Sequence, residues 1–260
     1  MLFGCTARTE EYELVRRAGF DYAEFHCRDV TAMEPAAFSA LERLVERAGL
    51  PVRAMNLYCP PEIIIAGPGF DLGNARRYAS QAASRAAALG VALMGIGSPK
   101  SRSLPEGFDR ALGMRQLEEF LLTTADIFGR QGITICLEAL GACFCNVLNS
   151  FFEAGQVVRR LRHEYLGLIL DLYNMEWSGE ADADWSEYAS LVRHAHTSDD
   201  EGDPYLRSYL REEKYSVHLR RIGILAQSGY DRGLTLEMDV PVETPRAAMS
   251  LEIMRKAASV

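Results

Sequence analysis

Short apolar runs alternate along the chain with longer segments in which apolar residues recur every three or four positions. The short runs have the length of strands, and the longer segments have the period of helices. Eight runs are predicted to be strands: 2–7, 21–27, 51–58, 91–98, 133–140, 166–172, 191–196 and 233–239. Eight segments are predicted to be helices: 10–19, 35–49, 74–90, 108–132, about 150–163, about 182–190, 214–229 and 243–259.

Strict alternation of strand and helix is typical of parallel strands joined by crossover helices. Eight such units in 260 residues match the size of a (β/α)8 TIM barrel. An open, doubly wound sheet is the alternative fold, but it favours a glycine-rich turn after the first strand, where only Gly4 stands. No linker or low-complexity tract interrupts the chain. We therefore expect residues 1–260 to form a single α/β domain, a TIM barrel.

Composition narrows the partners and the compartment. The net charge of −8 argues against nucleic acid and anionic membranes as partners. The six cysteines are scattered without a CxxC motif, so a disulfide or metal-thiolate framework is not expected and a reducing cytoplasm fits better. The first residues, MLFGCTARTEEY, turn polar too early for a signal peptide. No apolar run is long enough to span a membrane.

Polar side chains stand where the predicted strands end, which is where the chemistry of such barrels lies. Those of the second, third and fourth strands are Glu24, His26, Asn56, Ser98 and Lys100. Each of the last four strands ends in one good ligand for a divalent ion: Glu138, Asp171, His196 and Glu237.

The three carboxylates in this set are hard to explain as surface groups, because ICLEAL, LILDLY and LTLEMD place each one between bulky apolar residues. A buried, unpaired carboxylate costs several kcal/mol, and converging carboxylates also repel each other. A single acidic strand end is more often a helix cap or an ion-pair partner, but a cation explains four ligands on consecutive strands. Oxygen ligands with one imidazole favour Mn²⁺, Mg²⁺ or Co²⁺ over structural zinc.

Two histidines share the stretch HAHTSDD. In a strand their side chains point the same way, and His194 lies deeper than His196 by about 6–7 Å. We expect His196 to be the metal ligand and His194 to support it from the barrel interior.

Several stretches resemble the xylose isomerase-like superfamily of sugar isomerases and epimerases, in the branch with D-tagatose 3-epimerase, hydroxypyruvate isomerase and inosose dehydratase. The stretches are AGFDYAEF, GSPKSRSLPEGFDR, ICLEAL, LILDLYNM, HAHTSD and LTLEMD, in the family's order over nearly the whole chain. The resemblance implies one divalent ion, with Mn²⁺ first and Mg²⁺, Co²⁺ or Zn²⁺ as alternatives, bound by Glu138, Asp171, His196 and Glu237. It also implies that Glu138 and Glu237 act as catalytic acid and base.

The chain departs from the ketose 3-epimerases at three positions that orient the sugar in that family. Phe144 replaces a glutamate, Asn174 a histidine and Gly202 an arginine. A ketose 3-epimerase is therefore not predicted. Asn174 and Asn56 also stand where apurinic endonucleases of the superfamily need histidines for a three-metal cluster.

We expect a metal-dependent isomerase, epimerase or dehydratase that acts on a small keto-sugar, polyol or cyclitol. The candidate substrate contacts are Asn56, Ser98, Lys100, Asn174 and Glu24. A non-catalytic metabolite-binding barrel is the second hypothesis, and a metal-dependent phosphodiester hydrolase, with Lys100 and Arg102 as anion contacts, is the third. Residues 197–213 are expected to cover the site. The protein is expected to be able to form a homodimer or a homotetramer, and the sequence does not decide between them.

Overall fold

Eight parallel strands close into a barrel in the computed structural model, which describes residues 1–203 and 205–259. The barrel strands are β1 (Leu2–Ala7), β2 (Tyr22–His26), β3 (Val52–Asn56), β4 (Leu93–Ile96), β5 (Thr134–Glu138), β6 (Leu166–Asp171), β7 (Val192–Thr197) and β10 (Gly233–Leu236). A separate antiparallel pair lies between β7 and the last barrel strand: β8 (Asp199–Asp200) and β9 (Arg207–Ser208). Since β1 pairs with both β2 and β10, the ring is complete and the predicted TIM barrel is confirmed.

Helices surround the barrel and cover its outer face. They are α1 (Tyr12–Ala18), α2 (Cys27–Ala32), α3 (Pro35–Ala48), α4 (Leu72–Ala88), α5 (Pro99–Arg102), α6 (Arg110–Gly129), α7 (Phe151–Leu161), α8 (Leu172–Trp177), α9 (Tyr215–Gln227) and α10 (Thr244–Ala258). None of the described helices has the length and apolar character needed to cross a membrane.

Local sequence explains where the helices begin and end. The Asp71 and Ser150 side chains accept hydrogen bonds from the first free backbone N–H groups of α4 and α7. Gly19 and Gly49 end α1 and α3 in the left-handed conformation, with φ of 89° and 74°, which glycine adopts without strain. These signals place the long helices within a few residues of their predicted bounds.

The crossover between β6 and β7 differs from the prediction. The helix expected near 182–190 is a short 3₁₀ helix, Ser186–Leu191. The α-helix of this unit is α8, which follows β6 without a loop. It begins there because Asp171 Oδ1 accepts hydrogen bonds from the N–H groups of Tyr173 and Asn174.

Candidate metal centre

Four strand ends converge at the carboxyl end of the barrel. Glu138 and Asp171 are the last residues of β5 and β6, His196 is the next-to-last of β7, and Glu237 directly follows β10. One ligand atom from each lies within 4.8 Å of the others. The structure thus brings together all four side chains predicted as metal ligands.

The imidazole of His196 is oriented toward this cluster. Its Nδ1 lies 3.1 Å from Glu237 Oε2 and 3.8 Å from Glu138 Oε1. Its Nε2 lies 3.0 Å from Glu24 Oε1 on the other side. Nδ1 is buried and has no partner with hydrogen-bond geometry within the described residues. Nδ1 is therefore the nitrogen that could bind an ion.

Glu24 does not lie where a substrate contact would. It was expected at the end of the second strand, but it is the middle residue of β2 and its side chain is fully buried. Its two oxygens lie 2.7 Å from His194 Nε2 and 3.0 Å from His196 Nε2. Glu24 therefore orients both imidazoles from below, and His194 is held in the barrel interior, as expected. A carboxylate behind a metal-binding histidine fixes its tautomer and ring orientation.

Two of the predicted substrate contacts lie against the carboxylates. Asn174 Nδ2 donates to Glu138 Oε1 at 3.1 Å and to Asp171 Oδ2 at 2.9 Å. Asn56 Nδ2 donates to Glu237 Oε1 at 2.7 Å. Both amides therefore position candidate ligands.

The polar residues that follow β4 differ in how far they are buried. Ser98 is buried and accepts a hydrogen bond from the Cys59 thiol, whereas Lys100 is exposed on α5. Arg102 is fully buried, and its Nη1 donates to the Glu138 backbone oxygen at 2.9 Å. Arg102 therefore does not belong to a solvated loop, because its guanidinium packs beneath the end of β5.

Arg207 is a central residue that the sequence placed only in the segment 197–213. It begins β9, and its Nη1 lies 2.8 Å from Asp171 Oδ2 and 2.6 Å from Glu237 Oε2. Its Nε donates to Ser198 Oγ at 2.9 Å, and the guanidinium lies 5.0 Å from the centre of the Tyr173 ring. Since β8 and β9 form the hairpin that carries it, this segment reaches the candidate metal centre through one buried cation.

Arg207 and His196 offset part of the negative charge of the cluster. Burial opposes the ionisation of Asp171, but Arg207 and His196 outweigh it and lower its pKa to about 2. Burial likewise opposes the ionisation of Glu237, and the same two cations hold its pKa below the ordinary value. For Glu138, burial and the nearby Glu237 charge raise the pKa to about 8. A further cation in the cluster would favour the ionised form of Glu138.

These donors fit a divalent cation. Three carboxylates and one imidazole are ligands that Mn²⁺, Mg²⁺ and Co²⁺ accept. His196 Nδ1 is buried and lacks a hydrogen-bond partner among the described residues, so this candidate ligand atom is free for an ion, whereas Glu237 Oε2 is held in an ion pair with Arg207. The cluster could therefore hold one divalent ion, which would compete with the Arg207 guanidinium for Asp171 and Glu237.

A family model described as a xylose isomerase-like TIM barrel matches residues 12–257, and the chain belongs to this family. Its fold is similar to that of D-allulose 3-epimerase from Methylomonas sp., with 15% identity, a TM-score of 0.79 and coverage of 99% of this chain and 98% of that one. It is also similar to 3-keto-D-glucoside 4-epimerase from E. coli, with 15% identity, a TM-score of 0.76 and coverage of 98% and 99%.

An AP endonuclease of family 2 from Brucella melitensis shares the fold as well, with 19% identity, a TM-score of 0.68 and coverage of 96% and 97%. At these identities the likeness concerns the fold alone. A comparison with curated proteins finds no match.

Proposed function

We propose that this protein is a divalent-metal-dependent isomerase or epimerase acting on a small keto-sugar, polyol or cyclitol. The observation that carries the proposal is the convergence of Glu138, Asp171, His196 and Glu237 within 4.8 Å at the carboxyl end of the barrel. Manganese is the first candidate for the ion, followed by magnesium, cobalt and zinc. The structurally similar sugar epimerases support the choice of a carbohydrate substrate.

The proposed reaction moves a proton on a carbon next to a carbonyl. A bound divalent ion would supply Lewis-acid stabilisation of negative charge on the substrate oxygens. Glu138 and Glu237 are the proposed acid and base, since β5 and β10 are separated in the ring by β6 and β7. Two carboxyl groups that reach a substrate from different strands can remove a proton from one side and return one from another.

The remaining polar groups are proposed to hold the substrate. Ser98, Asn56 and Asn174 lie beside the carboxylates or on the loop after β4, and Lys100 lies further out on α5. We add Arg207, because an ion at the four ligands would compete for the carboxylates that now bind its Nη1. The released guanidinium could then donate to a substrate oxygen.

Phe144 offers an apolar wall where the ketose 3-epimerases use a glutamate. Its ring contacts the Tyr205 ring edge-on, with 5.8 Å between centroids. Tyr205 belongs to the segment 197–213, which therefore touches the loop after β5. This contact supports a covering role for the segment and a pocket with a different shape.

The test combines metal analysis with proton exchange. Protein purified without chelator should contain about one divalent ion per chain, and it should exchange solvent deuterium into a carbon-bound position of a keto-sugar or cyclitol from a panel. Glu138→Gln and Glu237→Gln should each abolish the exchange. Glu119→Gln, an exposed change on α6, is the matched control and should retain it.

Three results would contradict the proposal in different ways. Exchange that persists in both active-site variants removes the acid and base roles. Sugar-induced thermal stabilisation without any exchange favours a non-catalytic metabolite-binding barrel. Cleavage of abasic DNA without turnover of any sugar favours a phosphodiester hydrolase.

A further inference from the structure

A cavity opens at the amino-terminal end of the barrel, opposite the candidate metal centre. It has a volume of about 380 Å³ and is lined by the first residues of seven barrel strands, among them Arg53, Arg193 and Gly233. This volume is within the range of about 300–1,000 Å³ that is usual for small-molecule sites. Catalytic groups of TIM barrels lie at the other end, so the proposed isomerase chemistry does not explain this cavity.

Three arginines converge on the cavity: Arg53, Arg193 and Arg232. Within residues 1–203 and 205–259, none of the three guanidinium groups makes an ion pair or a side-chain hydrogen bond. Asp231 is the one acidic residue of the lining, so three positive charges face one negative charge. The chain as a whole carries −8. Three unpaired arginines at one opening of such an acidic protein therefore form a distinct positive site.

His194 adds a buried polar group to the lining. It is 2% exposed, and its Nε2 lies 2.7 Å from Glu24 Oε2. Its Nδ1 is buried and has no hydrogen-bond partner among the described residues. An unsatisfied buried nitrogen costs about 1–3 kcal/mol unless something else bonds to it. Since Nε2 donates to the Glu24 carboxylate, Nδ1 of the neutral ring is an acceptor. A ligand hydroxyl could donate to it while the anionic oxygens of the same ligand bind the arginines.

We propose that the amino-terminal mouth of the barrel binds a small phosphate-type dianion, either free phosphate or a phosphate monoester. A guanidinium group can donate two parallel hydrogen bonds to the oxygens of such an anion. Three guanidinium groups carry more positive charge than is required to balance a singly charged carboxylate, which favours a dianion. The cavity has room for the organic part of a small monoester. This binding site is separate from the four candidate metal ligands and does not depend on the proposed reaction.

The experiment is equilibrium dialysis of the metal-loaded protein with inorganic phosphate and, in parallel, with glycerol phosphate, at constant ionic strength set with chloride. The triple variant Arg53→Gln, Arg193→Gln, Arg232→Gln should lose one equivalent of bound anion per chain. The control carries the same loss of charge on the outer helices, as Arg17→Gln, Arg76→Gln, Arg115→Gln, and should bind like the wild type. The double variant Arg53→Gln, Arg232→Gln, which leaves the half-buried Arg193 in place, should weaken binding by at least about tenfold.

Retention of the full equivalent in the triple variant would overturn the proposal, and so would an equal loss in both triple variants, because that would reflect net charge alone. If the triple variant does not fold, the double variant decides in the same way, since it changes only exposed side chains. Tighter binding of glycerol phosphate than of inorganic phosphate would identify a monoester as the ligand, and equal binding would identify the free ion. Sugar exchange activity is not part of the readout, so failure here is distinguishable from failure of the proposed function.

Discussion

Glu24→Gln is the sharpest test of how the candidate metal centre is built. The substitution keeps the shape of the side chain but removes the charge and one acceptor. In the wild type both carboxylate oxygens contact histidine nitrogens, at 2.7 Å for His194 and 3.0 Å for His196. Burial opposes the ionisation of Glu24, but His196 and His194 hold its pKa well below the ordinary value. Glutamine can accept from only one of the two rings, and its amide group faces the other.

Glu24→Gln should weaken metal binding and also destabilise the metal-free protein. Removing a carboxylate that orients a metal-binding histidine weakens metal affinity by about 10–100-fold, which corresponds to about 1.4–2.8 kcal/mol. A hydrogen bond to a charged group contributes about 1.5–3 kcal/mol. Because one of two such bonds is lost, the metal-free variant should be about 2 kcal/mol less stable than the wild type.

Metal affinity should be measured by competition with a chromophoric chelator, and the stability of the metal-free protein by urea unfolding. Asp199→Asn is the matched control, because Asp199 is also buried and contacts a histidine, His218, at 3.3 Å. The control should lose stability but keep its metal affinity. If Glu24→Gln binds metal within twofold of the wild type while losing stability, Glu24 has a structural role only and does not orient His196 for the metal.

Three further substitutions test other parts of the structure. Arg207→Met removes the cation beside Asp171 and Glu237, so the metal-free variant should be about 3–5 kcal/mol less stable than the wild type. A divalent ion should raise the melting temperature of the variant more than that of the wild type, and equal shifts in a thermal melt would contradict this. Gly97→Ala would place a Cβ 2.6 Å from Glu138 Oε2 and should weaken metal binding by about tenfold in the chelator competition. Gly223→Ala is the control and should leave metal binding unchanged, because its Cβ would lie 3.7 Å from Ala257 O. Burial opposes the ionisation of Asp199, but its bonds to His218 and Lys214 lower its pKa. The stabilisation by this carboxylate is therefore complete above the unfolded-state pKa of about 3.9 and is lost as the pH falls through the folded-state pKa. Urea unfolding between neutral and acid pH should show that the stability of Asp199→Asn depends less on pH than that of the wild type.

The four candidate ligands could be predicted from sequence because a barrel strand has a simple geometry. Once eight strands are identified, their carboxyl ends must meet at one end of the barrel, and an acidic residue at the end of an apolar run must lie there. ICLEAL and LILDLY carry this information without any knowledge of side-chain packing. The same logic predicted Asn56, although not that it would donate to Glu237.

Arg207 could not be predicted in this way. Its position depends on the antiparallel pairing of Asp199–Asp200 with Arg207–Ser208, two strands too short to show a hydrophobic period. Arginine in a polar stretch is typical of a solvated loop. Only the three-dimensional path of the hairpin places this guanidinium between two carboxylates. The short helix α8 was missed for a related reason, since its cap, Asp171, was interpreted only as a metal ligand.

The depth of Glu24 in the barrel follows from the alternation of side chains along β2. Tyr22, Glu24 and His26 alternate along β2, so they share one face. Because β2 extends to His26, Glu24 lies a full repeat below the strand end, at the depth of the barrel interior and not at its mouth. A charged group at that depth needs polar partners, and the two histidines of β7 were the available ones.

The interior of this barrel is built around a chain of polar groups. Tyr22 OH lies 2.8 Å from Thr235 Oγ1, which lies 3.2 Å from His194 Nε2, and the chain continues through Glu24 to His196. Gly4 and Gly233 make room for it, because a Cβ at Gly4 would overlap the Tyr22 ring and a Cβ at Gly233 would lie 2.6 Å from its hydroxyl. Gly4, the lone glycine of the first strand, therefore serves the packing of Tyr22 and not a nucleotide-binding turn. Since buried polar groups are costly unless every one has a partner, the orientation of the His196 ring depends on this whole column and not on the mouth of the barrel alone.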